Sequence, residues 1–131
     1  MGERYEVTVA AGTLRSGADG AVRFPHRWTP EGVTVEGAFT GAHLLHLAIA
    51  GCVLNDLYRE AAAVGVALHG VRVSAGGGFD PDSWTSTGIT YSVEVSSDAP
   101  DEELARLLAT VDTVAEIPRA VRAGATVRRT G

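Results

Sequence analysis

The sequence contains no lysine and only one cysteine, Cys52, among its 131 residues. The absence of lysine excludes Schiff-base chemistry, which requires a lysine amine. A single cysteine cannot form an internal disulfide, and it therefore fits a reducing cytoplasm. With 11 basic and 16 acidic residues the formal net charge is −5. This charge argues against nucleic acid as the main partner, because phosphate binding requires a basic surface.

Long apolar segments are also missing. The longest apolar run is interrupted by His43 and His46 and leads into Asn55-Asp56, so we expect no transmembrane span and no membrane partner. The first residues, Met1-Gly2-Glu3-Arg4, do not begin a signal peptide, which again favours a cytoplasmic location. The length fits one domain over residues 1–131 with a hydrophobic core of its own.

Hydrophobic periodicity predicts strands on both sides of a long apolar segment. Apolar and polar residues alternate over 5–9, and short strands are expected at 22–24 and 33–35. A hairpin is expected from strands at 71–75 and 87–96, with the three glycines at 76–78 forming a flexible tip. A closing strand is expected at 125–129.

Capping residues predict the helices. Thr40 is a good N-cap, and Gly65 is suited to a left-handed C-cap, so one helix is expected between them. Its first half is apolar on nearly every face, which predicts that other elements surround it. A second helix begins at Pro100 with acidic residues at its positive end, and Pro118 breaks it or begins a short third helix. The fold class is therefore α+β, with an antiparallel sheet and a long central helix.

The sequence around Cys52 resembles the OsmC/Ohr family (osmotically inducible protein C and organic hydroperoxide resistance). The helix carries a Leu-Ala-x-Ala-x-Cys core from Leu47 to Cys52, a Gly-Val-x-Val strand follows at 70–73, and Ile117-Pro118 stands where the family has Cys-Pro. The resemblance runs over most of the chain. It implies an OsmC-like fold in an intertwined homodimer, in which both chains build two equivalent pockets near Cys52.

The family's activity, carried over by resemblance, is thiol-dependent reduction of organic hydroperoxides. One cysteine attacks the peroxide oxygen and a second resolves the sulfenic acid as a disulfide, while an arginine and a glutamate assist the first thiolate. In this chain the attacking cysteine is Cys52, but the resolving cysteine falls on Ile117, the arginine on Ala18 and the glutamate on Ala42. The resemblance therefore implies an ancestral peroxidase activity that is degenerate here and that would need an external thiol as reductant.

The alternative hypothesis is a repurposed family member. Such a protein would bind or transform a small apolar ligand in the dimer-interface pocket without peroxide chemistry, with Cys52 as a buried packing residue. Apolar burial raises the pKa of a thiol, and an ionised Asp56 four residues further along the helix would disfavour the thiolate. Cys52 lies in mid-helix, so we expect no helix N-terminus near it. Arg15, Arg23 or Arg27 could replace the missing arginine, and Arg15 is our catalytic candidate.

Two histidines and two aromatic residues complete the predicted site. His43 and His46 are three residues apart and could form an acid/base pair, with His43 catalytic, or a metal pair; the plainer alternative is two histidines bonded to backbone. A metal site usually needs three or four ligands, so we expect no metal and no cofactor. Trp28 and Phe39 could line the pocket, although packing over the helix is the commoner role of such aromatics.

Overall fold

The computed structural model describes residues 2–131 and contains five strands and three helices. The elements are β1 (Val7–Gly12), β2 (Val22–Phe24), β3 (Val33–Glu36), α1 (Gly41–Val64), β4 (Gly70–Phe79), β5 (Ser86–Ser96), α2 (Asp101–Val114) and α3 (Glu116–Ala123). The strands form one antiparallel sheet in the order β2-β3-β1-β4-β5, and the long helix α1 packs on it, with the two shorter helices against α1. The α+β class and the long helix are as predicted.

The sheet has one apolar and one polar face because its side chains alternate along each strand. Val9 of β1 lies opposite Val73 of β4, and both are buried beneath α1. On the other face Thr8 and Ser74 share a hydrogen bond of 2.8 Å between their hydroxyl groups. The core therefore lies between the sheet and α1, and this arrangement fixes which face of α1 is left to form a site.

The two predicted caps delimit α1. The Thr40 side chain accepts a hydrogen bond from the backbone N–H of His43 at 3.1 Å. At the other end Gly65 has φ 74°, and its backbone N–H caps the final carbonyls of the helix. The first half of the helix is less enclosed than predicted, because Leu44 and Ala48 are exposed in the single chain.

The predicted glycine-rich hairpin tip is wrong, because Gly76 to Gly78 lie inside β4. A Cβ atom on Gly77 would stand 2.2 Å from the carbonyl oxygen of Gly88 and 3.1 Å from Nε2 of His46. The glycine is therefore required by close packing within the sheet and against α1, not by a turn. The turn itself lies further on, where the Asp80 carboxylate accepts hydrogen bonds from two backbone N–H groups.

The C-terminal end of the chain also differs from the prediction. Residues 125–129 form no strand and are exposed. Pro118, for which two outcomes were predicted, lies in the first turn of the separate helix α3, where its missing N–H costs no helical hydrogen bond. Within residues 2–131 none of the helices is long and apolar enough to cross a membrane.

Candidate active site around Cys52

Cys52 lies in the middle of α1 and is only partly buried. It lines an open, largely apolar cleft of about 480 Å³, which we call the cysteine cleft. The walls come from β1, β2, β3, α1 and the start of α3, and they include Phe24, Val33, Val35, Leu47 and Ile117. A partly exposed sulfur at an apolar surface can be reached by a small apolar molecule.

A buried carboxylate is the nearest polar partner of the sulfur. The Cys52 thiol donates to Oδ2 of Asp56 across 3.8 Å, and Asp56 is only 1% exposed. The other carboxylate oxygen accepts from Nδ2 of Asn55 at 3.3 Å and lies 3.3 Å from Nη1 of Arg59. Cys52, Asp56 and Arg59 are four and then three residues apart, so one side of α1 brings them together.

The start of α3 approaches the sulfur from the other side. The backbone amides of Ile117 and Glu116 face Cys52 and lower the pKa of its thiol, so a helix N-terminus does lie near the cysteine, contrary to our expectation. Burial has the largest effect and raises that pKa, and the carboxylates of Asp56 and Glu116 raise it further. The pKa of Cys52 is therefore above its ordinary value.

The pKa of Asp56 is also above its ordinary value. Burial raises the pKa of its carboxyl group, although the hydrogen bond from Asn55 and the charge of Arg59 partly offset this effect. A carboxyl group with a raised pKa is a better proton acceptor than an ordinary aspartate. The thiol and the carboxyl group can therefore exchange a proton along their contact of 3.8 Å.

The polar contacts continue to a histidine that sequence reasoning did not include in the site. Nε2 of His26 lies 3.3 Å from Oδ1 of Asn55, and its Nδ1 lies 2.8 Å from the hydroxyl of Thr29. Burial lowers the pKa of His26, and the Asn55 contact partly raises it. No sequence pattern links residues 26 and 55, which lie on different elements, so only the fold could identify this pair.

One group of residues near the sulfur has the composition of a metal site. Ligand atoms of Cys52, Asp56 and Glu116 lie within 4.8 Å of one another. However, Nη1 of Arg59 lies 3.3 Å from Asp56 and 3.9 Å from Glu116. The single positive charge of this guanidinium faces both carboxylates and opposes the binding of a cation there.

His43 and Phe39 lie in a smaller cleft of about 160 Å³. We call it the Phe39 cleft, and it shares Phe24, Val35 and Leu47 with the cysteine cleft, so the two adjoin. Phe39 is 87% exposed, and Nδ1 of His43 lies 2.6 Å from the Thr40 hydroxyl. Neither side chain lines the cysteine cleft, so their predicted catalytic and pocket roles would have to act from this neighbouring surface.

His46 is fully buried and lies against the ring of Phe79, with the centroids 6.2 Å apart. Among residues 2–131 neither of its ring nitrogens has a hydrogen-bond partner of ordinary geometry. Burial lowers the pKa of His46, so the ring is neutral at physiological pH. It does not line the cysteine cleft, and its surroundings differ from those of His43.

Arg15 and Trp28 meet in a third cleft of about 410 Å³, which we call the Arg15 cleft. Nε of Arg15 donates to the carbonyl oxygen of Gly12 at 3.0 Å, and the guanidinium of Arg27 lies 5.5 Å from the Trp28 ring centroid. The Arg15 cleft has no lining residue in common with the cysteine cleft. Of the predicted partners of Cys52, Asp56 is thus the one that the single chain places beside the sulfur.

Comparisons with known proteins agree with the fold. The family model described as OsmC-like protein matches residues 34–129. The structure is similar to the crystal structure of an OsmC-like hydroperoxide resistance protein from Jannaschia sp. CCS1, with a TM-score of 0.63 and 12% sequence identity. That similarity covers 96% of this chain and 91% of the Jannaschia chain. No curated protein matches the sequence.

Proposed function

Because the chain belongs to the OsmC-like protein family, we propose that it reduces organic hydroperoxides with Cys52 as its single reactive thiol. The observation that carries this proposal is the contact of 3.8 Å between the Cys52 sulfur and the buried carboxyl group of Asp56, at the wall of an apolar cleft. The cleft suits the organic part of such a substrate, and the carboxyl group suits the proton that the reaction has to move.

The reaction balances with these two side chains. Asp56 takes the proton of the Cys52 thiol, and the thiolate attacks the distal oxygen of the hydroperoxide. The oxygen–oxygen bond breaks, sulfur is oxidised to the sulfenic acid, and the leaving alkoxide takes the proton from Asp56 to become an alcohol. Asp56 thus serves first as general base and then as general acid, and it returns to its starting state.

Asp56 and Arg59 also offer a replacement for the two assisting residues that the family resemblance leaves missing at Ala42 and Ala18. They supply a carboxylate and a guanidinium from α1 itself, and they contact each other at 3.3 Å. The amides at the start of α3 add positive potential at the sulfur, where the thiolate forms. We thus assign the role of the family's arginine and glutamate to Arg59 and Asp56 on α1.

Turnover then requires a thiol from outside the chain, since Ile117 occupies the position of the family's resolving cysteine. One external thiol attacks the sulfenic sulfur of Cys52 and releases water, leaving a mixed disulfide. A second external thiol attacks that disulfide, restores Cys52 and leaves with the first thiol as their own disulfide. The electrons for each peroxide thus come from two thiols, which a reducing compartment supplies.

A second copy of the chain is part of this proposal. Exposed apolar side chains surround the Phe39 cleft and reach the cysteine cleft: Val22, Phe24, Phe39 and Leu44. An apolar surface of this kind supports the homodimer that the family resemblance implies, because a second copy would remove it from water. Light scattering after gel filtration should give twice the mass of one chain, and a monomer at micromolar concentration would contradict this part.

One observation favours a second candidate function, the binding of a small apolar ligand without peroxide chemistry. Burial and two carboxylates raise the pKa of Cys52, so its thiolate is scarce at neutral pH. The cysteine cleft and the adjoining Phe39 cleft would then serve as one apolar ligand site. Under this hypothesis Cys52 only lines the cleft, and its replacement by serine would not change ligand binding.

Stopped-flow oxidation separates the two candidate functions. The chain is mixed with cumene hydroperoxide, and sulfenic acid at Cys52 is trapped with dimedone and located by mass spectrometry. We expect Cys52 to react at least about a hundredfold faster than free cysteine, which is the lower range for general acid/base assistance. Cys52→Ser is the control and should not react. A rate equal to that of free cysteine would refute the peroxidase proposal and leave the ligand-binding hypothesis.

A further inference from the structure

The Arg15 cleft is a concave site that the proposed chemistry does not use. It lies between the turn after β1, the loop from Trp28 to Glu31, and the second half of α1, which contributes Tyr58. At about 410 Å³ it falls within the size range of small-molecule sites. Its walls combine an indole ring, a phenol, a guanidinium and an imidazole, which is a mixture typical of a site for a polar, planar molecule.

The strongest sign of a ligand is an orphaned hydroxyl group. Tyr58 is 9% exposed, and its buried hydroxyl has no hydrogen-bond partner among residues 2–131. Buried hydroxyl groups are almost always paired, because an unpaired one loses its hydration without compensation. Tyr58 lines the Arg15 cleft, so a ligand that enters the cleft and displaces the atoms covering the hydroxyl would supply the missing partner.

Arg15 provides the positive charge. Its Nε donates to the Gly12 carbonyl oxygen at 3.0 Å, which anchors the guanidinium. Within residues 2–131 its two Nη groups make no hydrogen bond and no ion pair, so they remain available as parallel donors. Such a pair of donors matches the two oxygens of a carboxylate.

The other charged groups near the Arg15 cleft determine which ligand charge it favours. Burial raises the pKa of Tyr58, and the negative charge of Glu31, which lines the cleft, raises it further. His69 also lines the cleft, and its Nε2 is held by Asp98 at 3.0 Å. Arg15 and, over the Trp28 ring, Arg27 thus bring two positive charges near the one carboxylate of Glu31, which favours a ligand with a single negative charge over a more highly charged anion.

We propose that the Arg15 cleft is a second binding site, for a small planar monocarboxylate whose carboxylate pairs with Arg15 and whose ring lies against Trp28. The Tyr58 hydroxyl donates to the ligand at the inner end of the site. Binding does not involve Cys52, so this proposal does not depend on the proposed peroxidase activity.

Ligand binding at this site can be measured by the fluorescence of Trp28. It has two tryptophans, and Trp84 is 83% exposed in the turn after β4, so Trp84→Phe leaves Trp28 as the single indole. Titration of that variant with benzoate should change Trp28 fluorescence in a saturable way, with a dissociation constant on the order of 1 mM for so small a probe. Benzamide, which has the same shape without the charge, should bind at least about tenfold more weakly. Equal binding of the two probes would overturn the proposal, as would a fluorescence change that does not saturate.

Three substitutions in the Trp84→Phe protein assign the contacts. Arg15→Gln should weaken benzoate binding about tenfold, and Glu31→Gln should strengthen it about threefold, because one removes the attracting charge and the other the repelling one. Arg128→Gln, a matched change in the exposed C-terminal segment, should have no effect. If Arg15→Gln binds benzoate as well as Arg128→Gln does, the proposal is wrong.

Tyr58→Phe tests the orphaned hydroxyl separately from folding. This variant should bind benzoate several-fold more weakly while its thermal unfolding midpoint stays equal or rises, because the deleted hydroxyl has no partner in the folded chain. A clear fall in the midpoint would show that the hydroxyl is satisfied within the protein, and it would remove the main support for the site. Cys52→Ser should bind benzoate normally, and its failure to do so would refute the independence of the two sites.

Discussion

Replacement of Asp56 by asparagine should separate the two effects of this carboxylate on Cys52. The negative charge 3.8 Å from the sulfur opposes thiolate formation, while the same group accepts the thiol proton. At this distance two unit charges interact by about 1 kcal/mol in a water-like medium and by about 4 kcal/mol at an effective dielectric constant near 20. Asp56→Asn should therefore lower the pKa of Cys52 and increase the fraction of thiolate at neutral pH.

Two reactions of the same thiol then give opposite results. Alkylation by iodoacetamide needs only the thiolate, so at neutral pH its rate should rise at least about tenfold in Asp56→Asn. Reduction of cumene hydroperoxide also needs a proton for the leaving alkoxide, which asparagine cannot supply. Relative to alkylation, the peroxide rate should therefore fall by about a hundredfold or more.

The control and the refuting results are equally specific. Glu102→Gln removes an exposed carboxylate of α2 that does not contribute to the pKa of Cys52, so neither rate should change. Unchanged alkylation in Asp56→Asn would mean that Asp56 is already protonated and neutral at neutral pH. Peroxide and alkylation rates that rise together would mean that Asp56 does not return the proton, and the proposed mechanism would fail.

Three further predictions concern the fold and the cleft. Burial lowers the folded-state pKa of His46 below its ordinary value of 6.5, so the neutral ring contributes its full stabilisation above that pH and loses it as the pH falls below. The free energy of unfolding of the parent protein, measured with urea, should therefore fall on acidification. His46→Met should reduce that fall by up to about 1.4 kcal/mol per pH unit. Gly77→Ala should destabilise the fold by about 2 kcal/mol or more in the same assay, because its Cβ would meet the Gly88 carbonyl at 2.2 Å. Ile117→Cys should form a disulfide with Cys52 after one equivalent of hydroperoxide, detected as loss of both free thiols, since both residues line the cysteine cleft.

Each of these predictions has an outcome that would contradict it. If His46→Met loses as much stability on acidification as the parent protein does, the assignment to His46 is contradicted. A Cβ on Gly17 would meet nothing within 4 Å, so Gly17→Ala should be nearly neutral, and equal costs at the two glycines would exclude the packing argument. If Ile117→Cys keeps a stable sulfenic acid at Cys52, the start of α3 is not within reach of the sulfur.

Local chemistry was sufficient to predict the helices and the sheet class. Thr40 and Gly65 act within one turn of the chain they cap, so their sequence positions determine the ends of α1. The three glycines at 76–78 misled the prediction because glycine serves turns and close packing equally well. Only the contact of Gly77 with Gly88 and His46 distinguishes these two uses, and that contact depends on the assembled sheet.

The site was predictable only where it follows a single helix. Cys52 and Asp56 are four residues apart on α1, so their contact could be anticipated from spacing. The approach of Glu116 and Ile117 to the sulfur joins residues more than 60 positions apart, and no local rule predicts it. Arg15 was expected near Cys52 from its place in an early loop, but the single chain places it in a separate cleft beside Tyr58.

The two edges of the sheet differ greatly in length. The edge strand β2 has three residues, whereas the opposite edge strand β5 has 11, Ser86–Ser96. β5 contains no proline and no lysine, the residues that discourage pairing with a strand of another chain. A long, unprotected edge is a template for strand addition and thus for aggregation. The register between β4 and β5 shifts between Gly77 and Phe79, at the hairpin end of this edge, and such an irregularity locally disrupts flat pairing. The regular part of β5, from Ile89 onward, is therefore where the solubility of the chain is most sensitive to added apolar surface.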